Sequence, residues 1–273
     1  MKRTRRTRHW APLAAFGAAT LLLGGAAAPT ARATDHNNID AGRPLSFEDA
    51  SSIAYGERTI EFGVRGASPR GTSVGLGFGI EYLVGFARNS HLGVDLGSSI
   101  GGRAGSGDTR ADLDEVGLSL FHNFNREVGN APALSVRADT AFRTGRGGGG
   151  TEFRLRGILS KTARQYDRLH LNLDAHFAPN AGEGERTFRA GAVLGYSLPL
   201  GYPTRFDRTG LAELAIRQSE EKGTGPVVTL GLGLRQQTTP TSVLDLGLQS
   251  DVSGARGAAR DDVRLIAGYS TAF

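Results

Sequence analysis

The chain has 273 residues, 32 of them Lys or Arg and 27 Asp or Glu, with no cysteine. The lack of cysteine excludes a disulfide framework and a lipid-modified N-terminal cysteine. The basic excess sits at one end: residues 1–33 hold six of the 32 basic residues and no acid, so the remainder carries 26 against 27, a net charge of −1. That remainder has no basic tract, which excludes nucleic acid as an expected partner.

Residues 1–33 read as an export signal. Lys2, Arg3, Arg5, Arg6 and Arg8 form a basic start, residues 11–28 an apolar run centred on Leu21, Leu22 and Leu23, and Ala31-Arg32-Ala33 the small residues a signal peptidase requires. An uncleaved anchor is the alternative, disfavoured by the Gly and Pro residues and the A-x-A site. The mature chain then has 240 residues, enough for one barrel-sized domain. Residues 34–56 precede the first strand and form either a periplasmic segment or a plug of the lumen. Residues 57–273 form the barrel.

No later stretch approaches the ~20 apolar residues of a membrane helix. Residues instead alternate apolar and polar in twelve runs, 59–65, 72–85, 91–100, 115–124, 134–144, 151–161, 169–177, 188–198, 210–218, 227–236, 242–250 and 261–273. The first run sets Ile60, Phe62 and Val64 on one face, and the second sets Val74, Leu76, Phe78, Ile80, Tyr82 and Val84. A period of two makes one face of a strand apolar, and ~10 residues suffice to cross a bilayer as a tilted strand. The connections alternate too. Gly-rich, charged stretches at 103–110, 146–150, 179–186, 220–225 and 253–260 are assigned to the cell exterior; Pro- and Asn-bearing turns at 86–90, 125–131, 162–168, 201–208 and 237–241 are assigned to the periplasm.

The last run, DDVRLIAGYSTAF, alternates Val263, Leu265, Ala267, Tyr269, Thr271 and a terminal Phe273. It resembles the closing strand of bacterial outer-membrane β-barrels. That resemblance implies that Tyr269 and Phe273 are read by the barrel-assembly machinery; the pairing of this strand with residues 59–65 is expected from closure of the sheet. Hydrocarbon offers no hydrogen-bond partner, so every strand edge must be paired and the sheet must close. The reading is an all-β, 12-stranded antiparallel transmembrane β-barrel in the cell outer membrane, with membrane lipid as its surroundings. A lipocalin-like barrel with the apolar face inside is disfavoured, because twelve strands give a Cα radius of about 12 Å, too wide for Leu and Val to fill. A secreted β-sandwich is the remaining soluble alternative.

Residues 107–145, GDTRADLDEVGLSLFHNFNREVGNAPALSVRADTAFRTG, resemble the outer-membrane barrels of the MetA-pathway of phenol degradation family. They share its Gly-Asp loop, acidic turn, Pro-Ala-Leu restart and Thr-Gly exit. LGYSLPLG (194–201) and the stretch 225–251 are similar to its later hairpins, and the likeness spans roughly 58–273. It implies a channel or transporter.

Parity also assigns the lumen face. One wall is charged: Arg137, Asp139 and Arg143 on the fifth strand, Glu152, Arg154 and Arg156 on the sixth, His170, Asn172, Asp174 and His176 on the seventh and Arg189 on the eighth; Arg264 of the twelfth also points into the lumen. The other wall is bare, with Gly231, Gly233, Gly247, Gly268, Gly63, Gly75, Gly77, Gly79, Gly93 and Gly97. Two readings of the glycines stand, tight coiling of the sheet or room for a guest, either a solute or the 34–56 segment with its Ile39, Leu45 and Phe47. The arginines either select anions or pair with Asp139, Glu152 and Asp174 as braces. Lumen lining is preferred for His170, Asp174 and His176, since a metal site would need adjacent strands to converge on them. No cofactor is implied. His122, on the lipid-facing parity, has no obvious serine partner on a neighbouring strand, so an enzyme is not expected. Passive diffusion of small polar or aromatic solutes is the expected function, with a structural barrel and an outer-membrane hydrolase as the alternatives.

Overall fold

The computed structural model describes residues 35–40, 42–69, 74–100, 112–144, 150–254 and 260–273. The export signal at 1–33 and the connections at 103–110 and 146–149 lie outside the described residues, as does most of 253–260.

Twelve strands follow one another: β1 (Arg58–Pro69), β2 (Gly75–Ala87), β3 (Ser90–Ile100), β4 (Asp112–Asn125), β5 (Ala133–Arg143), β6 (Gly150–Thr162), β7 (Arg168–Phe177), β8 (Phe188–Pro199), β9 (Arg208–Arg217), β10 (Val227–Thr239), β11 (Ser242–Gly254) and β12 (Asp261–Ala272). Each pairs antiparallel with its chain neighbours, and β1 pairs with β12, so the sheet is a closed barrel without edges. The closing seam sets Phe62 opposite Tyr269 and Gly63 opposite Gly268. The strand that ends the chain thus joins the first strand, as its alternation implies.

Burial is inverted relative to a soluble protein. Phe62, Leu118, Leu155, Leu173, Leu194, Leu232, Leu246 and Leu265 are exposed on the outside, whereas Glu61, Arg156, Asn172, Thr229, Arg235 and Asp245 are buried within. In water such a belt of leucines would be unfavourable at every strand, and in lipid it is matched. Strand lengths of 10 to 14 residues suit a tilted crossing. The barrel is of the outer-membrane kind.

Two departures from the alternating runs have local causes. β4 begins at Asp112, ahead of the run at 115, because a register shift opposite Gly97 and Ser98 leaves Asp114 as an extra residue and interrupts the period of two. β10 continues through Gln236 to Thr239, since a ladder outside the hydrocarbon needs no apolar face. The β2–β3 turn is only Arg88 and Asn89, and Asn89 takes φ +60°, a left-handed conformation that asparagine tolerates.

The belt yields a measurable expectation. Leu232 lies at the middle of β10 and is 64% exposed. Leu232→Arg should destabilise the barrel by about 2–4 kcal/mol in reversible guanidinium unfolding from lipid vesicles. A change below 1 kcal/mol would mean that this face does not meet hydrocarbon.

Candidate functional site: the occupied lumen

Inside the barrel, residues 35–40 and 42–57 run as an irregular segment whose backbone is bonded mainly by side chains of the wall. Ser46 N–H donates to Glu213 Oε2 (2.7 Å), and Arg156 Nη1 donates to the Ser46 carbonyl (3.0 Å). Two residues on, Asn172 serves both backbone groups of Glu48, accepting from its N–H (2.8 Å) and donating to its carbonyl (3.0 Å). Two further on, Ala50 N–H donates to Ser160 Oγ (2.9 Å), while Asn123 Nδ2 and Ser135 Oγ both donate to its carbonyl at 2.7 Å. Alternate residues of the segment therefore bond as a strand would, but to side chains of β4–β7 and β9 in place of a neighbouring backbone. A buried backbone group needs a partner, and here the lumen's polar residues supply it.

The start of the segment is held by charge. Arg235, fully buried, donates to the Asn38 carbonyl and to Asp40 Oδ2 (2.7 Å) and pairs with Asp245 at 3.0 Å. Arg43, at the cis Arg43–Pro44 bond, pairs with Glu61 of β1. His36 shares a hydrogen bond with Thr209 (2.7 Å). The segment also closes on itself, with Asp49 N–H donating to the Ile39 carbonyl (3.1 Å) and Ile39 N–H to Asp49 Oδ2 (3.3 Å). Burial pushes the Asp49 carboxyl up to about 6, against the opposing pull of Arg168 at 3.9 Å.

Apolar packing completes the fit. Ile39, Leu45 and Phe47 meet Val193, Leu211 and Ala215 of the wall, and Ala50 meets Phe121, Ala133 and Ile158. The Phe47 ring lies 5.2 Å from the His170 ring. The glycines supply the space. A Cβ at Gly247 would lie 2.1 Å from the Pro44 carbonyl oxygen, one at Gly195 2.5 Å from the Phe47 ring, and one at Gly268 2.9 Å from Arg43 Cδ. By contrast, a Cβ at Gly75 or Gly79 would meet nothing within 4 Å. The bare wall thus divides into a part covered by the segment, on β10–β12 and at Gly63, and an open part at Gly75 and Gly79 of β2; Gly195 on β8 and Gly85 on β2, which lie outside the predicted bare wall, are covered too.

The segment separates two spaces. Toward the end of the barrel away from Arg58 and Ala272 lies a cavity of about 700 Å³, bounded by Gly77, Ser99, Glu115, Arg143, Glu152 and His176 among others. Toward the end where β1 begins lies one of about 360 Å³, bounded by Asn37, Asp49, Ser51, Thr59 and Arg168 among others. Between Asp40, Asp49, Glu61, Glu81 and Arg137, a gap of about 10 Å³ remains, room for about one water.

The charged residues singled out by parity cluster on β5–β8. Asp139 is shared by Arg137 and Arg154, each 2.7 Å away. Arg137 also reaches Glu81 at 2.8 Å and Glu48 at 3.6 Å. Asp174 pairs with Arg156 at 2.7 Å. Near the rim, Glu152 takes Arg143 and Arg189 at 2.6 Å and His176 at 2.8 Å. His170 is sealed beneath the segment between Ser160 (2.9 Å) and Ser197 (3.0 Å). Arg264 lies apart from this group, on Asp251 (2.8 Å) and Asp261 (3.3 Å). At the seam, Phe273 stacks with Tyr82 at 6.5 Å.

One expectation needs correction. His122 does have a serine partner: Ser90, directly opposite it on β3, shares a hydrogen bond with its Nδ1 at 2.8 Å. The pairing was hidden because Ser90 sits at the turn, just before the run at 91–100. His122 also packs edge-on to Phe124 at 4.9 Å. No carboxylate among the described residues orients its other ring nitrogen, so the pair is short of a catalytic triad. Sequence reasoning passed over inward polar residues, Glu81, Asn123, Ser160, Glu213, Arg235 and Asp245 among them, and the inward apolar ones, Leu83, Phe121, Ile158, Val193 and Leu211. The signal of both was available, since each lies on the lumen parity of its strand.

No family model matches this chain, and no curated protein does. Among solved structures, the chain is similar to the COG4313 outer membrane channel from Pseudomonas putida F1, at 12% identity and a TM-score of 0.64, over 86% of this chain and all of that one. It is also similar to the NanC porin, at 11% identity and a TM-score of 0.55, over 77% of this chain and 98% of that one. At such identities the likeness establishes the fold.

The covered glycines predict how the segment is released. Gly247→Val should force Pro44 off the wall and expose residues 35–57 to added protease in a barrel that keeps its heat-modifiable mobility on gels. Gly79→Val, which meets no neighbour, should leave the segment protected. Equal protection in both variants would show that Gly247 is not needed for docking.

Proposed function

We propose that this chain is an outer-membrane channel for small polar or aromatic solutes whose lumen is plugged by its own residues 34–56. The carrying observation is the separation of a 700 Å³ space from a 360 Å³ space by that segment, with only about 10 Å³ between them. A barrel with a purely structural role has no need of a wet, charged lumen that narrows at one peptide segment. Segment and wall meet through many polar contacts, each bond worth ~1 kcal/mol net, so the plug holds at rest yet can exchange those bonds for water.

In this reading, residues 1–33 are removed on export, the chain termini face the periplasm and the longer connections face the exterior. Tyr269 and Phe273 mark the strand that the assembly machinery engages. Arg137, Arg154, Arg156 and Arg189 each pair with a carboxylate, which favours bracing of the wall over simple anion selection. The motif likeness to the MetA-pathway of phenol degradation family supports a transporter and says little about its solute.

Deleting residues 35–52 should raise single-channel conductance in planar bilayers several-fold over the full chain. An unchanged current would remove the plug. In liposome swelling, the deleted form should admit small polar solutes, and impermeability to a whole panel of anionic, neutral and aromatic solutes would return the barrel to a structural role.

A further inference from the structure

The larger cavity has its charges sorted by wall. Six arginines and six carboxylates line it, so it is balanced overall. From β2, β3 and β4 come Glu81, Asp95, Asp114 and Glu115, with glycine and serine between them and no cation. From β5, β6 and β7 come Arg137, Arg143, Arg154, Arg156 and His176, with only Asp139 and Glu152 among them. Arg156 is taken by Asp174, and Asp139 and Glu152 are each shared by two arginines, which leaves that wall positive. On the adjoining β2–β4 wall, Glu81 is taken by Arg137, and Glu115 stands directly opposite Arg143 in the β4–β5 register. Asp95 and Glu115 have no hydrogen-bond or ion-pair partner among the described residues. Asp95 lies folded over Gly117, where a Cβ would stand 2.1 Å from its Oδ1.

Such an arrangement has no preference for net charge but a strong one for charge direction. A lone anion gains from the arginine wall and is repelled by the acids, and a lone cation meets the reverse. A solute carrying both charges a few ångströms apart gains from both walls at once. A volume near 700 Å³ lies within the range that holds small ligands.

We propose that this cavity is a binding site for zwitterionic solutes of amino-acid to dipeptide size. The ammonium group is held by Asp95 and Glu115 and the carboxylate by Arg143 and Arg154. The inference deepens the channel reading and rests on it for the solute's access to the lumen.

Calorimetric titration of the full chain in detergent, at fixed ionic strength, with three probes of nearly equal size tests it. Alanylalanine carries both charges, N-acetyl-alanylalanine only the negative one, and alanylalanine amide only the positive one. Alanylalanine should bind at least tenfold more tightly than either blocked form. In the double variant Asp95→Asn, Glu115→Gln its affinity should fall at least tenfold, to the level of the acetylated probe, whose own binding does not weaken. If the acetylated probe binds the unaltered protein as tightly as the dipeptide, the site is an anion site and the proposal fails; if the amide does, it is a cation site and the proposal fails. Absence of binding by all three also overturns it. The probe comparison on the unaltered protein is independent of how the variant folds. Conductance of the protein lacking residues 35–52 reports separately on the channel reading, so the two can fail independently.

Discussion

Every backbone polar group removed from water must find a partner, and this one constraint is met in two ways in this molecule. Around the wall it is met by backbone, strand to strand, and since lipid offers nothing to an edge the ladder continues until β12 returns to β1. Within the lumen it is met by side chains. The segment through Ser46, Glu48 and Ala50 has no strand beside it, so Glu213, Arg156, Asn172, Ser160 and Ser135 provide bonds in place of a ladder. The polar residues of the lumen thus serve the peptide segment that lies in it.

The same side chains connect docking to the charged wall. Arg156 holds Asp174 with one part of its guanidinium and the Ser46 carbonyl with another. Arg137 joins Asp139 and Glu81 to Glu48 on the segment. Braces of the barrel and anchors of the segment are thus one network, in which removal of a single buried partner leaves a charge uncompensated. Docking through a shared network makes the segment's position sensitive to any change in the arginines around it.

Much of the barrel was legible because lipid acts on each strand separately. Phe62, Leu118 and Leu232 declare an outward face by period alone, whatever their neighbours do. Ser90 escaped because a two-residue turn puts it in β3 one position before the alternation starts. Asp114 escaped because a bulge breaks the period locally. The lumen was only partly legible. Its glycines were visible, but the sequence offers no means of telling Gly247, which touches Pro44, from Gly79, which touches nothing. Inward Val193 and Leu211 look anomalous on a polar face until Leu45 and Phe47 lie against them.

By itself the sequence determined the class of fold, the number of strands and the closing seam, since each follows from a local period of two and from the refusal of hydrocarbon to bond backbone. Only the tertiary structure decided what fills the interior. Which glycine meets Pro44 depends on a segment and a strand distant in sequence meeting in the lumen, while the carboxylate that two arginines share and the closeness of Glu115 to Arg143 depend on the register between neighbouring strands. No period along the chain records either, because the distances that matter run from strand to strand and from wall to segment.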